Sequence, residues 1–143
     1  MENNTKLLSY IHKNAAMGTR SIPQVLSLPQ SGAMRRALNT QLKEYKKIAA
    51  EAQAHAQALG VTVPEPSQTS RAMSAIMLRM QTMTDRSTSH LAELMIHGST
   101  MGTVQMTRNL NQFQNSADTT SLALGRRLLE TEERNIQQMK KYL

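Results

Sequence analysis

Apolar residues return along this chain at the three-and-four spacing of amphipathic helices, and the C-terminal stretch shows it most clearly. Leu122, Gly125, Leu129, Ile136, Met139 and Leu143 share one helical face. At about 100° per residue, Glu132 projects within roughly 10° of the centre of that face, and Asn135 lies at its edge. A carboxylate on the buried stripe of a helix is costly unless a cation, a metal or hydrogen bonds compensate it. Glu132 is therefore the most informative residue of the sequence.

The same periodicity predicts a first helix over about residues 4–28, with Leu7, Ile11, Asn14, Gly18, Ile22 and Val25 on one face. Pro23 should kink it or end its regular part. After a turn at residues 28–32, with Ser31 as a possible N-cap, a second helix is expected over about 33–59. Its stripe is Leu38, Leu42, Tyr45, Ile48, Ala49, Ala52, Ala56 and Leu59, and Gly60 ends it. A connector with Pro64 and Pro66 follows. An unbroken helix from 68 to 113 would be about 69 Å long, far longer than its neighbours. Asp85-Arg86-Ser87-Thr88-Ser89 is a poor helix interior and a good cap, so the run divides there. The division gives a short Met-rich helix at about 70–84 and a long one at about 88–113. A turn at 114–118 leads to a last helix over about 119–143.

Four long helices of similar length, two short turns and one long crossover (residues 60–87) make an all-α bundle. Short turns make antiparallel neighbours, and the crossover lets the second and third long helices run parallel.

Composition agrees with helices: Leu, Met, Ala and Ile supply the apolar residues, and Trp is absent. The lack of Cys excludes disulfides, iron–sulfur clusters and thiolate zinc sites, and suits a cytoplasmic location. No apolar h-region follows the early charges, so no signal peptide is expected. No run approaches the roughly 18 apolar residues of a membrane span. The net charge is +7, yet basic residues stand singly or in pairs with acids between them and no stacking aromatics alongside. They read as a solvated surface rather than a nucleic-acid face. A basic nucleic-acid-associated protein is kept as a second alternative.

The layout, with Gln41-Leu42-Lys43-Glu44-Tyr45, Ser89-His90-Leu91-Ala92-Glu93, Gly98-Ser99-Thr100-Met101-Gly102 and Glu132-Glu133-Arg134-Asn135-Ile136, resembles the ferritin-like superfamily. More closely it resembles small ferritin-like proteins of Gram-positive bacteria, some of them linked to spore coats. The resemblance implies a ferritin-like four-helix bundle with one long crossover carrying an extra short helix. Metal-binding members hold Glu on the first and third helices and Glu-x-x-His on the second and fourth. Here Glu132 fits the Glu of the last motif, but Asn135 takes the His place. On the second helix the matching pair is Gln41 and Glu44, and on the first the inner polar residue is Asn14. Both motifs are broken. Neutral amides can still hydrogen-bond a single buried carboxylate, so Asn14, Gln41, Glu132 and Asn135 are expected to form a metal-free polar cluster.

The function this implies is a structural or interaction protein without catalysis and with no cofactor, and the spore-coat link extends the expectation to sporulation or the coat. The alternative is a mono- or di-metal oxidase or storage protein centred on Glu132, using iron, manganese or zinc. His90, Glu93 and His97 fall within a wedge of about 60°, but the wedge faces away from the apolar side, so they read as a surface set. His12 falls on the polar side of the first helix. No Ser-His-Asp order or phosphate loop is present. Two faces suit a homodimer or another protein partner: the Met-rich crossover (Met73, Ile76, Met77, Met80, Met83) and the Gly98/Gly102 face.

Overall fold

The computed structural model describes residues 2–64 and 78–143 of the chain. Its long elements are α1 (Glu2–Leu26), α2 (Gly32–Ala58), α3 (Thr88–Phe113) and α4 (Thr119–Lys140). No strand occurs among the described residues, and no helix among them is long and apolar enough to cross a membrane.

Local chemistry sets the ends of these helices. The Ser31 hydroxyl accepts from the Met34 amide at 3.2 Å, Ser87 from His90 at 3.3 Å, and Asp118 from Ser121 at 2.6 Å. Each supplies an acceptor that the first turn lacks. At the far end of α2, Gly60 takes φ 73°, a left-handed conformation in which a side chain would be strained. The Val61 amide then reaches Ala56 O at 2.9 Å and the Gly60 amide Gln57 O at 3.0 Å, closing a Schellman motif. α1 continues through Pro23, which lies exposed within its last turn.

Contacts between helix ends fix the directions. The Ser31 amide donates to Thr88 Oγ1 at 3.2 Å, so α2 and α3 begin side by side and run parallel. Asn4 Oδ1 accepts from the Asp118 amide at 2.7 Å, so α1 and α4 also run parallel. His55, near the end of α2, meets Asp118 at the start of α4, with Nε2 3.1 Å from Oδ2, and that pair is antiparallel. The chain must therefore return along the whole of α2, about 40 Å, before α3 can begin. This is why the connection is long.

Asp118 holds three elements together at one end of the bundle. It caps α4, faces the His55 imidazole and donates through its amide to Asn4 Oδ1. Burial alone would raise its carboxyl, but the Ser121 amide and His55 hold it below the usual value. Asp118→Ala is expected to destabilise the fold by about 0.5–2 kcal/mol, the range for losing a helix cap. Urea denaturation measures this, and an unchanged midpoint would mean that the cap contributes nothing.

The core is aliphatic. Leu7, Leu8, Ile11 and Ile22 of α1 meet Met34, Leu38 and Ile48 of α2, Leu91 and Met106 of α3, and Leu128 and Met139 of α4. Small residues let neighbours fit between helices: the space beside Gly125 is taken by Leu110, Met106 and Ile11.

Several expectations change. Of the short helix expected at about 70–84, residues 70–77, with Met73, Ile76 and Met77, lie outside the described residues; residues 78–82 are helical and 83–84 are not. Met80 is buried and Met83 packs on the core, so these two are not a free docking face. The last helix stops at Lys140, where turn bonds from Tyr142 and Leu143 take over. His12 is buried rather than on a polar side, because α1 turns a wide face inward, and its Nδ1 has no hydrogen-bond partner among the described residues.

Candidate functional site

All four helices bring polar groups or open space to one place in the middle of the bundle. Glu132 sits there on α4, only 5% exposed. Gly102 of α3 makes room for it: a Cβ at that position would lie 3.1 Å from Oε2 and 3.2 Å from Cδ. Tyr45 reaches in from α2. Its ring lies flat over Gly18 of α1, where a Cβ would come within 2.5 Å of the ring carbon Cδ2. The space that glycine leaves on α1 thus places the Tyr45 phenol near the carboxyl.

The hydrogen bonding has one direction. Asn135 Nδ2 donates to the Tyr45 hydroxyl at 3.0 Å, within the buried core. The phenol oxygen is thereby an acceptor, which leaves its own proton available to the Glu132 carboxyl, its neighbour together with Ser99. The Ser99 hydroxyl of α3 lies against the same carboxyl. Burial pushes the Glu132 carboxyl up to about 7, and hydrogen bonds from Tyr45 and Ser99 oppose that rise. Burial, followed by the charge and hydrogen bonding of Glu132, raises the Tyr45 phenol well above its ordinary value. Tyr45 is thus a proton donor across the whole neutral range, and Glu132 is the group that titrates.

A cavity of about 50 Å³ adjoins the carboxyl. Asn14, Gly18, Ser21, Gly98, Ser99 and Gly102 are among the residues around it. The volume suits a few water molecules and not a larger organic ligand. The Asn14 amide nitrogen is buried there without a hydrogen-bond partner.

The expected cluster is thus partly redrawn. Glu132 and Asn135 are joined through Tyr45, and Asn14 lines the adjoining cavity. Gln41 is buried but turned elsewhere, donating to Gln138 Oε1 of α4 at 2.9 Å. Glu44 leaves the core and pairs with Arg127 at 3.2 Å. Of the Gly98/Gly102 face, Gly102 lies against Glu132 and Gly98 lines the adjoining cavity. His90, Glu93 and His97 are all exposed; His90 pairs with Asp85 at 2.9 Å, and His97 meets Arg79 at 2.8 Å. Their side chains do not converge on one point.

Tyr45 and Ser99 are the members that sequence reasoning placed otherwise. Tyr45 stood in the apolar stripe as a core residue. Its hydroxyl was the available signal, since a buried phenol needs a partner. Ser99 had no comparable signal beyond its place between two inward glycines.

A pair of metal ions does not fit this donor set. Among the described residues Glu132 is its single carboxylate, and its neighbours are hydroxyls and an amide. Among the described residues, no group of three or more His, Asp or Glu side chains is arranged to hold an ion. No protein-family model, curated protein or solved structure matches this chain.

Proposed function

We propose that this chain is a non-catalytic structural or interaction protein, built as a ferritin-like bundle whose metal position has become a hydrogen-bonded polar core. The observation that carries this reading is the surroundings of Glu132. Burial favours the neutral acid, and the phenol and serine hydroxyl, with an asparagine behind the phenol, give the carboxyl hydrogen-bond partners inside the core. It links α2, α3 and α4 and fixes their register, a role best attested for lone polar groups in helical cores. The common direction of α2 and α3, whose first residues meet at one end of the bundle, supports the same family reading. The spore-coat link that the resemblance implies would make the bundle a scaffold component.

Elemental analysis of native protein purified without added ions, beside a Glu132→Gln variant, tests the proposal. Iron, manganese and zinc are expected well below one ion per chain in both. Stoichiometric metal that disappears in the variant would make this a metalloprotein and end the proposal.

A further inference from the structure

We propose that the outward face of α2, with the groove between α2 and α4, binds the phosphate backbone of duplex nucleic acid without reading its sequence. The inference goes beyond the reading of the core and does not depend on it.

Arg36, Lys43 and Lys47 stand at helical spacings of seven and four on the side of α2 opposite its buried stripe. They form a straight row about 16 Å long, with Lys46 beside it, and all four are exposed. The acids that interleave with them in sequence do not neutralise them in space. Glu44 and Glu51 both turn aside to Arg127 of α4. Among the described residues, no acidic side chain pairs with Arg36, Lys43, Lys46 or Lys47.

The groove beside this row has a volume of about 540 Å³, and the residues lining it are polar or charged. Arg134 and Lys141 line it with Thr40 and Gln137, groups that bind phosphate oxygens. Its one acidic lining residue, Glu44, is held by Arg127. The exposed acids of α4, Glu130 and Glu133, do not line it.

The chemistry selects among polyanions. Among the described residues, the large exposed apolar side chains, Leu78, Met101, Val104 and Leu143, lie off α2 and outside the groove. The face therefore has no apolar anchor for a protein partner and none to insert into a lipid surface. It also has no exposed aromatic residue on which unpaired bases could stack, which favours a duplex over a single strand. A row of cations beside a polar groove matches a regularly charged backbone.

The test is fluorescence anisotropy with a labelled duplex DNA, from about 50 to 200 mM salt. With three or four phosphates neutralised, log K should fall against log salt with a slope of about −3 to −4. The triple variant Arg36→Glu, Lys43→Glu, Lys47→Glu should lose at least about tenfold in affinity at low salt, and Lys43→Ala alone should reduce the slope by about one. Arg86→Glu with Arg108→Glu alters exposed cations elsewhere and should retain most of the binding. Melting curves of each variant separate lost binding from lost folding. Absence of binding at low salt, an equal loss in the two multiple variants, or competition by polyglutamate as strong as by DNA would overturn the proposal. The last result would point instead to an acidic protein partner. Failure here leaves the reading of Glu132 intact, and metal at Glu132 would leave this face intact.

Discussion

Replacing Glu132 with Gln should remove a fall in stability that the native protein shows between about pH 4.5 and 7. The direction follows from proton affinities. In the unfolded chain the carboxyl ionises near its ordinary 4.5; in the fold, burial raises this to about 7. The folded state therefore binds the proton more tightly. Its contribution is fully present below pH 4.5, is lost as pH rises through the window, and is gone above about 7. A shift of this size corresponds to roughly 3 kcal/mol, at about 1.4 kcal/mol per unit. Gln keeps an oxygen for the Tyr45 hydroxyl and offers an N–H to Ser99, so the variant should pack without a void. Above pH 7 it should be more stable than the native protein, by up to about 3 kcal/mol. The difference between the two proteins' urea-denaturation free energies isolates Glu132 from groups they share. A flat difference curve would show that the carboxyl does not titrate inside this window.

Gly18→Ala should destabilise the bundle by about 1–3 kcal/mol, although alanine is the better helix former by about 1 kcal/mol. The new methyl would meet Tyr45 at Cδ2, Cγ and Cε2, at 2.5, 2.6 and 2.8 Å. Cγ is the root of the ring and cannot swing aside without carrying the hydroxyl away from Glu132 and Asn135. The loss should therefore appear both in the melting temperature and in the titration of Glu132. Gly125→Ala provides the contrast. Its methyl would meet the tip of Leu110 at 2.8 Å, a mobile end of a partly buried side chain, and the change should be close to neutral. If Gly18→Ala melts at or above the native temperature, the Tyr45 ring is not held as described.

Helix positions were legible because they depend on local signals. The cap sequence around Ser87 and the glycine at 60 mark ends that the structure places within a residue or two of expectation. The inward turn of Glu132 was legible for the same reason, as it follows from periodicity within one helix. What joins it was not. Whether Gln41 faces Glu132 or Gln138, about 9 Å apart along α4, depends on how α2 and α4 are staggered and rotated against each other. The charge pattern failed for a related reason. Glu44 and Glu51 interleave with lysines along α2, but Arg127, far away in sequence, draws both to one flank. A pairing between helices cannot be read from the spacing within either. His12 shows the limit of a narrow stripe: α1 buries a wider arc than its aliphatic residues mark.

The most direct test of the central claim is carboxyl-detected NMR titration of Glu132, in the native protein and in Tyr45→Phe. The account predicts a midpoint near 7 in the native protein. It predicts a higher one in the variant, where a hydrogen bond that favours the ionised form is gone. A midpoint at the ordinary 4.5, unmoved by the loss of the phenol, would contradict it.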